Sequence, residues 1–151
     1  MLDECKYNSP VGQLSLIKEN EKLISISFLG HSSPELKLGK SKKFREIIEQ
    51  LNEYFFEGRR VFEIEYELSS SRFRSRVYEE MLNIPYGESI TYSDLACKAK
   101  KPKAYRAVGT ACGKNPLPLI IPCHRVTSKT GLGGFTGGLN IKRFLLQLES
   151  N

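Results

Sequence analysis

Hydrophobic positions in the first part of the chain alternate, then follow a helical spacing, then alternate again. Alternating apolar residues on both sides of a polar turn predict a β-hairpin over 11–29. An apolar stripe at helical spacing predicts a helix over 44–55, which Gly58 ends. Strict alternation over 62–68 predicts a third strand with one buried face. Residues 1–68 are therefore predicted to form a small α/β domain with a partly antiparallel sheet.

The pattern becomes helical in the second part of the chain. A run of serines is expected to start a helix over 73–82. Ser93 is predicted to cap a short helix over 94–100, and Pro102 to open another that ends near Gly113. Two short helices joined by a tight connection predict a helix-turn-helix motif.

A last helix is predicted over 140–149, and four of its apolar side chains are expected to face inward: Ile141, Phe144, Leu145 and Leu148. The predicted fold class is therefore α+β. A small N-terminal α/β domain, 1–68, would precede a mainly helical C-terminal domain, 69–151, that contains a winged helix-turn-helix-like motif.

Composition narrows the class of protein. The 151 residues are 40% hydrophobic and 26% charged, as in soluble globular proteins. No apolar run reaches the roughly 18 residues of a membrane-spanning helix, and the N-terminus lacks a signal-peptide pattern. We therefore expect a soluble protein of the cytoplasm, or of the nucleus in a eukaryote, without a membrane partner. A formal net charge of +6 is compatible with binding to a polyanion such as nucleic acid.

The second helix of the predicted motif is rich in small residues: Ala104, Ala107, Gly109, Ala111 and Gly113. Small side chains permit either tight packing against another helix or insertion into the narrow minor groove of DNA. For insertion, the cations expected near phosphates are Lys101, Lys103, Arg106 and Lys114. Arg106 is the long side chain best placed to reach into a duplex.

The four cysteines form no CxxC pair, so the spacing does not indicate a zinc ribbon or a dithiol redox motif. Free thiols are expected, and a pair brought together by the fold stays open as an alternative. Cys5, Cys97 and Cys112 have no neighbours of catalytic character and are interpreted as structural. Cys123 lies in the run Ile-Pro-Cys-His-Arg-Val, after an apolar stretch stiffened by prolines. A buried cysteine usually only fills space, and for Cys123 alone that alternative stays open.

The neighbours of Cys123 favour a nucleophile. A thiol that attacks carbon needs a base or a positive field, because few thiols are ionised at neutral pH when the pKa is about 8.5. His124 can act as that base through a bridging water, and Glu149 can orient the imidazole, although the position of Glu149 alone favours a solvated C-terminal acid. The following segment, 129–138, contains five glycines and can wrap a flat ligand, although it lacks the spacing of a phosphate-binding loop.

These residues together resemble the methylated-DNA–protein-cysteine methyltransferases, the O6-alkylguanine-DNA alkyltransferases. The resemblance is strong over about 70–149 and mostly architectural before that. Its most specific element is Ile-Pro-Cys-His-Arg-Val at 121–126. The other matching motifs are Tyr-Gly-Glu at 86–88, Thr-Tyr at 91–92, Arg-Ala-Val-Gly at 106–109, Asn-Pro at 115–116 and Gly-Gly at 137–138.

The resemblance implies direct-reversal DNA repair by an enzyme that acts once and needs no cofactor. Cys123 would irreversibly accept the alkyl group of O6-methylguanine, with O4-methylthymine as a second expected substrate. The partner would be double-stranded DNA, bound through its minor groove by a monomer, and the damaged base would be flipped out before the reaction.

The resemblance also implies a role for individual side chains. His124 would be the base, Glu149 would orient it, and Asn115 would brace the turn before the active-site segment. Tyr92 would donate a proton or hydrogen bond on the N3 side of guanine, while Arg106 would fill the space that the flipped nucleotide leaves. Further contacts to substrate or DNA are expected from Ala107, Gly109, Lys103, Lys114, Val126, Phe135 and Thr136. Among these, the carbonyl of Val126 would accept from the guanine amino group, and Thr136 would lie near O6.

The chain departs from the family pattern at several points. The glycine-rich loop is one residue shorter than in many members, and Phe135 and Thr136 stand where tyrosine and serine are common. Tyr105 is large for a position often held by a small residue. Some members carry an N-terminal zinc, but Cys5 and His31 alone do not make a four-ligand set, so no metal is predicted. The alternatives are a non-catalytic protein that binds alkylated DNA, a regulator that uses only the helix-turn-helix, and a cysteine hydrolase. Non-catalytic relatives replace the reactive cysteine, which is present here.

Overall fold

The N-terminal unit, Met1–Leu68, is built on an antiparallel sheet of three strands in the order β1-β2-β3. The computed structural model describes residues 2–30 and 42–151. The strands are β1 (Leu2–Ser9), β2 (Gly12–Glu19) and β3 (Lys22–Gly30). The predicted hairpin is confirmed as β2 and β3. The sequence pattern does not predict β1, because only Cys5 and Tyr7 in it are buried.

The predicted helix of this unit is confirmed as α1 (Arg45–Glu57), which follows a 3-10 turn at Lys42–Phe44. Gly58 ends it in a left-handed conformation with φ of 77°, and its N–H donates to the carbonyl of Glu53. The helix packs its apolar stripe inward and joins the sheet in one core, whose buried side chains are Cys5, Tyr7, Leu14, Leu16, Leu23, Ile26, Phe44, Ile47, Leu51, Tyr54 and Phe55.

The prediction of a third strand over 62–68 is wrong, because this segment does not pair with a neighbouring strand along its length. This segment is extended, but it meets the sheet at a single parallel bridge between Leu23 and Tyr66. The alternation still distinguishes the two faces, because the apolar positions of 62–68 are half-buried and the glutamates between them are exposed. A half-buried face therefore requires only an extended chain, without paired hydrogen bonds along its length.

The C-terminal unit, Ser69–Asn151, is mainly helical. Its helices are α2 (Arg72–Leu82), α3 (Tyr92–Lys98), α4 (Tyr105–Gly113) and α5 (Leu139–Glu149). Two short parallel strands, β4 (Ile90–Thr91) and β5 (Val126–Thr127), pair with each other. The α+β fold class is confirmed. Helix α2 contacts both helices of the α3–α4 motif, and within this packing the Tyr78 hydroxyl donates to the Ala111 carbonyl at 2.8 Å.

Both helices of the motif begin at other residues than predicted. Thr91, not Ser93, caps α3: its hydroxyl accepts from the Asp94 N–H, and the Asp94 carboxylate accepts from the Thr91 N–H. Helix α4 begins at Tyr105 rather than at Pro102. The Ala104 N–H donates to the Lys101 carbonyl at 2.8 Å, so Pro102 lies in a separate turn that precedes the helix.

The inward face of α5 also differs from the prediction. Phe144 is 37% exposed, whereas the positions of lowest exposure are Lys142, Leu145 and Glu149. These three residues share one helix face, at i, i+3 and i+7. The two charged side chains can be buried because each has polar partners within the unit. None of the helices in 2–30 and 42–151 has the length and hydrophobicity that crossing a membrane would require.

Candidate active site

The active-site segment is held by a closed turn. The side chain of Asn115 accepts from the Leu117 N–H at 2.9 Å and donates to the Ile121 carbonyl at 2.8 Å. Leu119, between these two points, has a φ of 77°, which is strained for a branched side chain. Asn115 therefore spans the loop and fixes the backbone that leads into Cys123.

Cys123 begins a 3-10 turn, Cys123–Arg125, directly after Pro122. Its side chain is nearly buried, with 5% exposure. Burial raises the pKa of the Cys123 thiol, and a hydrogen bond from Asn115 and the positive charge of Lys142 oppose this effect. Ionisation of this thiol therefore depends on the polar groups around it.

His124 is fully buried behind the cysteine, and its Nε2 lies 2.6 Å from the Glu149 carboxylate. Because an ionised carboxylate can only accept, we assign the ring proton to Nε2, which leaves a lone pair on Nδ1. Nδ1 is buried and has no hydrogen-bond partner among the described residues. Burial lowers the pKa of His124, while Glu149 acts in the opposite direction. The imidazole is thus neutral and available as a base.

Arg125 holds the carboxylate that orients His124. Its Nε and second terminal nitrogen donate to the two oxygens of Glu149 at 2.8 and 3.1 Å, and its other terminal nitrogen donates to the Ile84 carbonyl at 2.8 Å. Such a bidentate pair keeps the carboxylate ionised and fixes its plane.

Gly87 packs against the backbone of Glu149. A Cβ at position 87 would lie 3.1 Å from the Glu149 carbonyl oxygen, and Gly87 has a φ of 84°.

A cavity of about 480 Å³ opens in front of the thiol. Its lining residues come from α3, α4, the active-site turn and the glycine-rich segment, and they are Tyr92, Gly109, Cys112, Gly113, Cys123, Gly134, Phe135 and Thr136. The volume falls in the range of pockets that enclose small organic ligands. Five sequence-predicted residues therefore meet at one cavity: Tyr92, Gly109, Cys123, Phe135 and Thr136.

The glycine-rich segment is tied to the helices on both sides of this cavity. The Tyr92 hydroxyl accepts from the Gly134 N–H at 3.2 Å, and the Thr136 hydroxyl donates to the Gly113 carbonyl at 2.8 Å. A Cβ at Gly133, where φ is 75°, would lie 2.5 Å from the Tyr92 hydroxyl oxygen. Glycine at 133 therefore permits the close approach of the segment to the Tyr92 ring.

Lys142 is a buried cation next to the cavity, at a position that the sequence pattern does not single out. Its Nζ donates to the carbonyls of Val126 at 2.6 Å and Gly134 at 3.0 Å. It also lies 5.8 Å from the centre of the Tyr92 ring. Lys142 thus joins α5 to the glycine-rich segment and places a positive charge near Cys123.

Other predicted residues lie on the surface rather than at the cavity. Arg106 and Ala107 are exposed on α4, Lys103 is exposed in the turn before it, and Lys114 is exposed at its C-terminal end. Tyr105, the first residue of α4, is 47% exposed. The exposed part of α4 thus carries the small Ala107 next to the cationic Arg106, with Lys103 and Lys114 just beyond its two ends.

Two further residues named from the sequence are Cys112 and His31. Cys112, interpreted as structural, lines the cavity together with Cys123, and burial raises its pKa to about 12. The sequence could have indicated this position for Cys112, because it lies three residues after Gly109 and therefore on the same side of α4. His31, considered as a zinc ligand, lies outside the described residues. Within those residues, no group of three or more His, Cys, Asp or Glu side chains is arranged to hold a metal.

Comparisons with known proteins cover both units. Residues 72–151 match the family model of the 6-O-methylguanine DNA methyltransferase DNA-binding domain, and residues 4–68 match that of the ribonuclease-like domain. A methylated-DNA–protein-cysteine methyltransferase from Metallosphaera sedula is 40% identical over 147 residues, which span 96% of this chain and 91% of the relative.

Solved structures from Mycobacterium tuberculosis are similar over almost the whole chain. The O6-methylguanine methyltransferase is 35% identical with a TM-score of 0.86, and the match covers 99% of this chain and 93% of that one. The OGT in complex with DNA is 36% identical with a TM-score of 0.84, covering 96% and 91%. The chain therefore belongs to the 6-O-methylguanine DNA methyltransferase family.

Proposed function

We propose that this chain repairs alkylated DNA by moving the alkyl group of O6-methylguanine to the Sγ atom of Cys123 in one irreversible turnover. One observation carries the proposal: Cys123 lies in the wall of a cavity of about 480 Å³, and the adjacent His124 is hydrogen-bonded to the buried carboxylate of Glu149. A nucleophile, a base and an orienting acid therefore occur together at a space large enough for a purine.

The proposed reaction is a displacement at the methyl carbon. The bond from the methyl carbon to O6 breaks while the bond to Cys123 Sγ forms, and the thiol proton passes through a water molecule to Nδ1 of His124. Guanine leaves as an anion and takes up a proton to become the normal base. Burial raises the pKa of Tyr92, so its hydroxyl stays protonated and can donate a hydrogen bond on the N3 side.

We assign DNA binding and alkyl acceptance to residues 69–151. A base must leave the stack before a thiol can reach its O6 substituent, at a cost of a few kcal/mol. The exposed, small-residue face of α4 suits the minor groove, and Arg106 would fill the space in the duplex. The Val126 carbonyl already accepts from Lys142, and its second lone pair is available for the guanine amino group. One chain carries every residue of the site, so a monomer suffices.

The proposal is tested by following O6-methylguanine loss from a duplex with three variants. Cys123→Ser is expected to abolish the loss, because serine is a much weaker nucleophile. Cys97→Ser removes an exposed thiol and is the matched control, and it should react like the unchanged chain. Cys112→Ser distinguishes the two cavity thiols, and methyl transfer should continue in it.

The alternatives give other results in the same assay. A cysteine hydrolase would turn over many equivalents, and a non-catalytic or regulatory DNA-binding protein would leave O6-methylguanine in place. Continued loss of O6-methylguanine in Cys123→Ser would refute the assignment of the acceptor.

A further inference from the structure

A second concave surface of the C-terminal unit is lined by cations around an aromatic ring. This cavity of about 380 Å³ is lined by Arg72, Phe73, Arg76 and Lys101. The first three residues come from the N-terminal half of α2, and Lys101 comes from the turn between α3 and α4. No acidic side chain is among the lining residues, so the surface carries concentrated positive charge.

The three cations that line this cavity do not stabilise the fold through ion pairs or hydrogen bonds. In the described part of the chain, the side chains of Arg72, Arg76 and Lys101 take part in no hydrogen bond or ion pair, unlike Arg45, Arg59 and Arg125. Arg72 and Arg76 are one turn apart on the same helix face, and like charges at this spacing destabilise a helix. An arrangement that is unfavourable within the chain is explained if an anion occupies the cavity.

The turn that carries Lys101 is fixed by its own backbone. The Lys101 N–H donates to the Ala96 carbonyl at 2.9 Å, and its carbonyl accepts from the Ala104 N–H at 2.8 Å. Lys100, before it, has a φ of 62°. The third cation is therefore presented from a defined turn, directly before the helix that carries Arg106.

The position of this cavity indicates which anion it binds. In helix-turn-helix proteins whose second helix enters the major groove, the first helix crosses the sugar-phosphate backbone, and a helix that enters the minor groove likewise has a strand on each side of it. The turn between α3 and α4 then faces a DNA strand at the edge of the groove. Guanidinium groups match phosphate oxygens, and the Phe73 ring offers an apolar surface to a deoxyribose.

We infer that the cavity formed by Arg72, Phe73, Arg76 and Lys101 binds a phosphodiester of the DNA backbone beside the groove that α4 enters. This inference rests on the proposed function, and it adds α2 to the DNA-binding surface. It concerns the affinity for DNA and not the reaction at Cys123.

The test compares Arg72→Gln/Arg76→Gln with Lys22→Gln/Arg143→Gln, which removes two cations outside this cavity. Affinity for an undamaged duplex is measured by fluorescence anisotropy across a range of salt concentrations. The first variant is expected to bind about 10- to 100-fold more weakly at low salt, with a slope of log affinity against log salt that is smaller by about 2. Arg72→Lys/Arg76→Lys keeps the charges and should recover most of the affinity.

Two further arms separate the possible outcomes. Methyl transfer from free O6-methylguanine base, which has no phosphate, should proceed at the unchanged rate in Arg72→Gln/Arg76→Gln. If neither the unchanged chain nor any of these variants accepts a methyl group from an O6-methylguanine duplex, the proposed function fails, whatever the salt slopes show. If transfer occurs but both double variants have the same slope, only the inference about this cavity is overturned. Saturable binding of inorganic phosphate, lost in Arg72→Gln/Arg76→Gln while DNA affinity matches the control, would also overturn it.

Discussion

Glu149 accepts hydrogen bonds from both His124 and Arg125, so a change at this carboxylate affects the orientation of the base and the pairing of a buried cation. Glu149→Gln keeps the shape but removes the charge. We expect a methyl-transfer rate at least tenfold lower and a loss of about 3–5 kcal/mol of stability, as for a buried ion pair that loses one partner. Single-turnover kinetics and urea unfolding measure both effects. Glu79→Gln, at an exposed position of α2, is the control and should change neither.

His124 makes the stability depend on pH in a defined direction. Burial lowers its pKa in the folded protein below the ordinary value of 6.5, so the unfolded chain binds a proton that the folded protein does not. This contribution to stability is complete above pH 6.5 and is lost as the pH falls below that value. Unfolding measured between pH 8 and 5 should show a decrease that is smaller in His124→Gln. Equal pH dependence in the two proteins would contradict the neutral state of His124.

At the scale of residues, the sequence identifies those whose chemistry is carried by a local motif. Cys123 and His124 are adjacent in the chain, and Glu149 is at family spacing from them. Lys142 could not be found in this way, because a lysine in an amphipathic helix is normally solvated and only the fold supplies its two carbonyl partners. The pairing of Arg125 with Glu149 depends on the same tertiary contacts.

At the scale of elements, the glycine-rich segment depends on one position for its approach to Tyr92. In Gly133→Ala the new methyl group meets the Tyr92 ring, and the backbone remains at a φ of 75°, which alanine adopts unfavourably. We expect methyl transfer to slow about tenfold or more, because the side chain proposed to act on the N3 side is displaced.

Gly131→Ala is the matched control for this change, since a Cβ there meets nothing within 4 Å. It should react at the rate of the unchanged chain. Similar effects of the two substitutions would show that general loop flexibility, rather than the contact with Tyr92, determines the rate.

Helices α1, α2 and α5 were predictable because their apolar positions follow a helical spacing, whereas the ends of the shorter α3 and α4 were predicted from single capping and proline residues. Thr91 and Ser93 both precede a stretch with helical character, and the reciprocal hydrogen bonds with Asp94 decide in favour of Thr91. The extended segment 62–68 shows which feature of a strand alternation does not predict. Alternation indicates which face is buried, but pairing along a strand depends on how far a neighbouring strand runs beside it.

At the scale of the whole molecule, the proposed reaction should change stability. Cys123 lies in the wall of its cavity but is only 5% exposed, so a methyl group on Sγ must fit beside the groups that are packed around the thiol. We expect the methylated protein to be less stable by about 1–3 kcal/mol, the usual cost of an added methylene in a packed site. Calorimetry before and after reaction measures the difference, and an unchanged or higher melting temperature would refute it.

The most direct test of the central claim is a titration of the protein with a duplex that contains one O6-methylguanine, followed by mass spectrometry of the digested protein. We expect the signal to reach a plateau at one methyl group per chain, carried by the peptide that contains Cys123, with unmodified guanine left in the DNA. A methyl group on any other residue, or consumption of lesions beyond one per chain, would contradict it.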